Sequence, residues 1–311
     1  MSVTKTTDAR SATDSPELHC FEDSRALASG LAERLGARCR PIEVRRFPDE
    51  ESLVRVESEG ARRAIVVRSL DRPDRKILEL LFTVDALRRR GVRELVLVAP
   101  YLAYMRQDRV FRSGEAVSQQ VVGGLLGAAF DEILTIEAHL HRIRALDEVF
   151  PCRARSISAA PVIADWCRRG YHDGLLVGPD AESEPWVKAV AERSGLPWIV
   201  CEKRRHGDRE VEITLPELPE PRERAIVIDD IASSGATLAA VTRALHDRGI
   251  RRVEAVVAHA IFGPGAEERM HAAGLAKIFS TDTLPHPSNA IRVADLLATQ
   301  LMAESDSKEE N

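Results

Sequence analysis

The chain is most constrained by short runs of Val, Ile and Leu that lack polar alternation, at residues 64–67, 95–99, 133–136, 175–177, 198–201, 225–228 and 253–258. A strand with one wet face alternates apolar and polar residues. Runs that are apolar throughout belong to strands covered on both faces, as in a parallel sheet between helices. Between the runs lie segments with helical spacing. Residues 74–90 carry Ile77, Leu80, Leu81, Val84 and Leu87 in such a pattern, and Gly91 stops it. Residues 117–130, 184–194 and 237–248 behave alike, with Gly195 and Gly249 as C-terminal stops for the last two. Strand and helix in alternation define an α/β protein.

A chain of 311 residues is long for one such domain and suits two of about 150 each. The features also repeat loosely: 64–69 and 225–230 are both apolar strands opening into polar loops, and 95–104 and 175–185 both run from a strand into a Pro-containing turn. The expected organisation is a disordered tail at 1–16, one domain over 17–157, a second over 158–302 and a disordered tail at 303–311. Residues 1–16 lack the apolar core of a secretory signal. No apolar run approaches the roughly 18 residues that cross a membrane. A cytoplasmic protein without a membrane partner is expected. With 44 basic and 49 acidic residues the formal charge is −5, which argues against a nucleic-acid partner. The five cysteines are odd in number and scattered, with no C-x-x-C, so neither a disulfide framework nor a zinc site is expected.

The most informative stretch is AIVIDDIASSGATL at 225–238. A buried strand runs into two acids, then small polar residues and a glycine, then a helix. Ligands of α/β sheets bind beyond the C-terminal ends of strands. Ser233, Ser234, Gly235, Ala236 and Thr237 can wrap a phosphate with backbone N–H groups at a helix N-terminus. Asp229 and Asp230, just before them, can accept hydrogen bonds from vicinal sugar hydroxyls. A helix cap would explain the Ser and Thr, but not two acids directly after a buried strand. A sugar phosphate fits both halves.

This loop resembles the phosphoribosyl pyrophosphate loop of the type I phosphoribosyltransferase fold, which serves both transferases and pyrophosphokinases. Six further segments, in order, resemble the ribose-phosphate pyrophosphokinases: RFPDEE (46–51), YLAYMRQDR (101–109), TIEAH (135–139), the turn at 178–180, the Lys203-x-Arg205 pair and STDTLP (280–285). The resemblance implies two similar domains of that fold, each a mainly parallel sheet flanked by helices. It implies transfer of pyrophosphate from Mg·ATP to ribose 5-phosphate. Carried over by position, Phe47, Asp49 and Glu51 belong to an adenine and ATP pocket that reaches a neighbouring subunit's site. Arg106, Gln107 and Arg109 also serve ATP, with guanidinium groups answering phosphate charge. His139 and Asp180 match metal-contacting positions for Mg2+, a cation that prefers oxygen ligands and keeps several waters. Lys203 and Arg205 match a mobile catalytic loop closing over ATP. Homo-oligomers, dimers or rings of dimers, are implied.

Three positions depart from the family pattern. Ser233 stands where many members have Asp, Glu137 where Asp is usual, and 181–186 (AESEPW) replaces a glycine-containing segment. The departures at Ser233 and 181–186 keep open a nucleotide-binding regulatory subunit without catalysis, and the shared loop keeps open a phosphoribosyltransferase.

Overall fold

The computed structural model describes residues 16–140, 142–206, 210–218 and 222–309, with the backbone alone at 204–206, 210, 211 and 304–309. The tail expected at 1–16 lies, apart from Pro16, outside the described residues. Two compact units form. Of the described residues, one unit comprises those within 16–135, 140–156 and 304–309, the other those within 136–139 and 157–303.

The first unit contains β1 (Glu17–Cys20), α1 (Arg25–Leu35), β2 (Cys39–Pro41), β3 (Glu43–Arg46), β4 (Ser52–Arg55), β5 (Arg63–Val67), α2 (Pro73–Arg89), β6 (Glu94–Ala99), α3 (Ser118–Ala129), β7 (Glu132–Ile136) and β8 (Arg153–Ile157). Its six-stranded sheet has the order β2-β1-β5-β6-β7-β8. Pairing is parallel from β2 to β7, while β3 and β4 form a separate antiparallel hairpin. The apolar runs at 64–67, 95–99 and 133–136 lie inside β5, β6 and β7, which are almost wholly buried.

The second unit contains α4 (Ala160–Gly170), β9 (Leu175–Gly178), α5 (Glu184–Ser194), β10 (Trp198–Val200), β11 (Glu202–His206), β12 (Glu210–Thr214), β13 (Arg224–Ala232), α6 (Ala236–Asp247), β14 (Arg252–Ala260), α7 (Ala266–Ala272), β15 (Lys277–Thr281), β16 (Asn289–Ile291) and most of α8 (Ala294–Glu309). The helix α8 runs through the first seven residues, 303–309, of the tail expected to be disordered. The sheet runs β10-β9-β13-β14-β15-β16, parallel throughout. Leu175, Val177, Ala225, Val227, Val253, Ala255 and Val257 pack against Leu238, Val241 and Leu245 of α6 in one buried cluster. Each unit is thus the α/β layer expected from the apolar runs.

The strand order reverses between β9 and β13. The chain proceeds from β9 to one edge and from β13 to the other, so a crevice opens at the C-terminal ends of these two strands. Asp180 follows the end of β9, whereas Asp229 and Asp230 lie within the last part of β13, which runs on to Ala232 rather than ending before the acids. All five cysteines are free thiols.

Candidate active site

β13 delivers the site. Its residues Ala225–Ile228 are buried, and Asp229 and Asp230 emerge where the strand leaves the core. The Asp230 N–H donates to Asp229 Oδ1 at 3.0 Å, fixing one carboxylate against the backbone. Beyond them the chain turns through Ser233 and Ser234 to Gly235, at φ +71°, which caps α6. The conformation requires glycine: a Cβ there would also meet Ala266 O at 2.9 Å and Met270 Cγ at 2.9 Å. The Ser233 carbonyl accepts from Gly263 N at 3.0 Å, and the Ser234 carbonyl accepts from Arg269 Nη1. These contacts hold the turn against the lead-in to α7, while the first N–H groups of α6 stand at the helix's positive end.

The other side of the crevice comes from β9. Asp180 caps a single 3-10 turn, Ala181–Ser183, accepting from Ser183 N at 3.3 Å, while Ser183 Oγ donates to the Asp180 carbonyl at 2.6 Å. This turn is what the departure from glycines at 181–186 builds. Glu182 and Glu184 are exposed, and Ser183 presses on the end of β9, where a Cβ on Gly178 would come within 2.5 Å of its Oγ. The second Asp180 oxygen receives Lys203 Nζ at 2.9 Å, with only 12% of the lysine side chain exposed. Lys203 lies in the antiparallel β11–β12 hairpin, opposite Ile213. The side chain of Arg205 lies outside the described residues.

A third strand end contributes Glu137 and His139. His139 Nδ1 is 2.5 Å from Asp230 Oδ2, the arrangement by which a carboxylate orients an imidazole. Burial alone would raise the Asp230 carboxyl, yet the bond and charge of His139 hold it below its ordinary value. Asp229 moves the other way: burial, then repulsion from Asp230 and Asp180, push it well above the carboxylate range, against the pull of Lys203. Glu137, at φ +40°, accepts from Ser158 Oγ at 2.6 Å and Ala159 N at 2.5 Å. Burial raises its carboxyl too, despite these bonds.

His259 was not among the residues singled out from the sequence, where it sits in the run VEAVVAHA. It is fully buried at the end of β14. Its Nε2 donates to the Ile136 carbonyl at 3.0 Å, and its Nδ1 lies 2.9 Å from Thr283 Oγ1. Thr281 Oγ1 and Thr283 Oγ1 donate to the Ala258 carbonyl at 2.7 and 2.9 Å, so these two buried threonines brace the strand end that carries the histidine. His259 thereby holds the backbone that presents Glu137 and His139. The available signal was a polar residue following the apolar run 255–258, near the functional end of the sheet.

The ATP candidates fall in the first unit, in two places. Phe47, Asp49 and Glu51 form the tip of the β3–β4 hairpin. Phe47 N donates to Glu51 O at 2.9 Å and Glu51 N to Asp49 Oδ1 at 3.2 Å. The Phe47 ring is exposed, with the Arg45 guanidinium 5.3 Å from its centroid. Arg106, Gln107 and Arg109 lie in the loop between β6 and α3. Arg106 is exposed, Gln107 Oε1 accepts from Ser118 Oγ, and the Arg109 guanidinium lies 4.8 Å from the Phe111 ring. No hydrogen bond or ion pair joins the two groups among the described residues. Each is tied to the start of α2, through Glu50 to Arg75 and Tyr104 to Asp74.

No cluster of three or more His, Cys, Asp or Glu placed to hold a metal ion is found among the described residues. The chemistry of the set still suits a cation: repulsion from the Asp230 and Asp180 carboxylates adds to the burial that penalises charge on Asp229. No helix among the described residues is long and apolar enough to cross a membrane.

The class of the protein follows from these two sheets and their loops. Residues 154–294 match the phosphoribosyl transferase domain, and residues 17–129 match the N-terminal domain of ribose phosphate pyrophosphokinase. The fold is shared with a phosphoribosylpyrophosphate synthetase from Mycobacterium smegmatis, at a TM-score of 0.80 over 94% of this chain and 99% of that one, with 23% identity. The ribose-phosphate pyrophosphokinase of Methanopyrus kandleri is 34% identical over 88% of this chain and 94% of its own length. That of Thermococcus kodakarensis is 35% identical over 83% and 91%. The chain belongs to the ribose-phosphate pyrophosphokinase family.

Proposed function

We propose that the chain transfers the β,γ-pyrophosphoryl group of Mg·ATP to the C1 hydroxyl of ribose 5-phosphate, giving phosphoribosyl pyrophosphate and AMP. The observation that carries the site assignment is the convergence, at the switch point of the second sheet, of a phosphate-sized turn, two adjacent acids and the Asp180–Lys203 pair. The C1 oxygen forms a bond to the β-phosphorus, the bond from that phosphorus to the bridging α-oxygen breaks, and the hydroxyl proton leaves to solvent.

Each residue has a role in that transfer. Ser233–Thr237 hold the 5-phosphate with N–H groups at the α6 N-terminus. Asp229 and Asp230 accept from the ribose hydroxyls, and His139 keeps Asp230 ionised and oriented for it. Lys203 supplies positive charge where the transferred group gains negative charge, and Arg205 is assigned the same task on the same hairpin. Phe47 stacks on the adenine, Asp49 and Glu51 accept from its exocyclic amine, and Arg106, Gln107 and Arg109 meet the phosphates. Mg2+, when bound, would be held by Asp180 and the neighbouring His139, directly or through water, and would neutralise phosphate charge there. The assembly we propose is a homo-oligomer, a dimer or ring of dimers.

The test is release of AMP from Mg·ATP by pure protein, with and without ribose 5-phosphate. AMP and phosphoribosyl pyrophosphate forming together, and only with the sugar, supports the transfer. ATP binding without AMP would favour a regulatory subunit. Pyrophosphate released from phosphoribosyl pyrophosphate on adding a base would favour a transferase.

A further inference from the structure

The first unit has its own switch point, between β1 and β5, because the chain leaves those strands toward opposite edges. Nothing there resembles the phosphate turn of the second unit. Asp23 follows β1, Arg68, Ser69 and Asp71 follow β5, and α2 brings Lys76 and Glu79. Arg68 Nη2 donates to Glu79 Oε2 at 2.6 Å. Lys76 Nζ reaches Asp71 Oδ1 at 2.6 Å, Asp23 Oδ2 at 3.0 Å and the Ser69 carbonyl at 2.9 Å. With Arg46, which also reaches Glu79, three cations meet three carboxylates. Within this network the cations and carboxylates are matched and paired with one another.

Glu79 stands apart within this network. It is 1% exposed, and its Oε1 accepts from both Arg46 Nη2 and Ser52 Oγ at 3.1 Å. Arg46 and Ser52 face each other as the last ladder pair of the β3–β4 hairpin, immediately before the tip that carries Phe47, Asp49 and Glu51. One buried carboxylate oxygen thus grips both legs of the hairpin at its throat. The other oxygen is anchored by Arg68, whose guanidinium lies 3.7 Å from the Phe21 ring centroid. The hairpin also meets α2 through β4 and through the surface Glu50–Arg75 pair, but Glu79 is the buried group that holds both of its legs. Every residue of β3 is exposed, the hydrogen bonds at Phe47 and Glu51 stay within the tip, and the Glu50–Arg75 pair is at the surface.

We propose that Glu79 is a positioning residue for the nucleotide: it sets the angle at which the hairpin presents Phe47, Asp49 and Glu51. This rests on the reading of that tip as nucleotide-binding. Both carboxylate oxygens of Glu79 are acceptors in use. In Glu79→Gln one of them becomes an NH2 donor facing another donor. The buried Arg68 holds the remaining oxygen more strongly than the half-exposed throat does, so the hairpin is the side released.

The experiment measures both Michaelis constants and kcat for Glu79→Gln and for the double variant Arg46→Met/Ser52→Ala, beside Phe47→Ala, in the assembled enzyme. The double variant frees the throat while leaving the Arg68–Glu79 pair intact, and so carries the test if Glu79→Gln does not fold. The expected result is a KM for ATP raised about tenfold or more, a KM for ribose 5-phosphate within about twofold, and kcat at saturating ATP within about threefold. Unchanged constants, or an equal loss toward both substrates, overturns the proposal, the second because a merely structural role predicts it. If Phe47→Ala raises the KM for ATP and the double variant does not, Glu79 alone loses its role. If Phe47→Ala leaves ATP binding untouched, the reading of the tip fails and the proposal falls with it.

Discussion

Lys203 is the residue on which the proposed transfer depends most. Its ammonium is mostly buried and held 2.9 Å from Asp180, so its position is set before substrate arrives. Charge placed in advance where the transition state needs it is worth more than charge recruited from solvent. Lys203→Ala should lower turnover by about two decades, with circular dichroism and assembly size unchanged; full activity would remove the lysine from the mechanism. His259 makes a different kind of prediction. Burial holds its ring down to about 4, outweighing the pull of Asp230 and of the Glu137 and Ile136 carbonyls. The unfolded chain, with an ordinary imidazole near 6.5, takes up a proton that the folded chain refuses. The folded state binds fewer protons in this window, so stability must fall as pH drops from about 6.5 toward about 4. The single-site effect is about 3 kcal/mol at the acid end. Urea titrations across that range should show a shallower acid loss in His259→Gln than in the parent, because glutamine can still donate to the Ile136 carbonyl but does not titrate. Equal slopes would mean that the buried ring is not the titrating group.

At the scale of elements, the β13–α6 turn is where local sequence and function coincide. Gly235→Ala would place a Cβ at φ +71° and 2.9 Å from the Ala266 carbonyl. A cost of about 1–3 kcal/mol is expected from the backbone alone, read as a lowered thermal midpoint, together with a raised KM for ribose 5-phosphate; an unchanged KM would detach the turn from the sugar phosphate. This element was legible in the sequence because everything that defines it is contiguous: a Val/Ile run, two acids, small residues, a helix. The central strands β5, β6, β7, β9, β13 and β14 were legible for the same reason. The strands β1, β8 and β15 were not, since none of them carries three consecutive apolar residues. Long-range encounters were also hidden. Glu79 meets Ser52 and Arg46 across 27 and 33 residues, and His259 meets Ile136 across 123. Composition and spacing show what a residue can do, and only the sheet order shows which partner it finds.

At the scale of the whole molecule, the proposed assembly makes the most demanding prediction. The first unit leaves Leu78 and Phe82 of α2 and Val121 and Leu125 of α3 between 40% and 63% exposed. Apolar surface of this kind on neighbouring helices favours burial against another chain. If the nucleotide tip of one subunit completes the site of another, Phe47→Ala and Lys203→Ala damage different halves of a shared site. Consider a mixed pair with a two-fold interface. One site then combines both lesions, while the other combines an intact tip from the Lys203→Ala chain with an intact lysine from the Phe47→Ala chain. Random exchange at equal amounts makes half the pairs mixed and repairs one site in each, so about a quarter of wild-type activity should return on co-refolding two nearly inactive variants. The assay is AMP formation at limiting ATP, with each variant alone as baseline. If tip and lysine serve the same site within one chain, mixing repairs nothing and the rate stays at the average of the two variants, whatever the assembly size. Recovery well above that average therefore tests the sharing of the site separately from oligomerisation, which light scattering reads on its own.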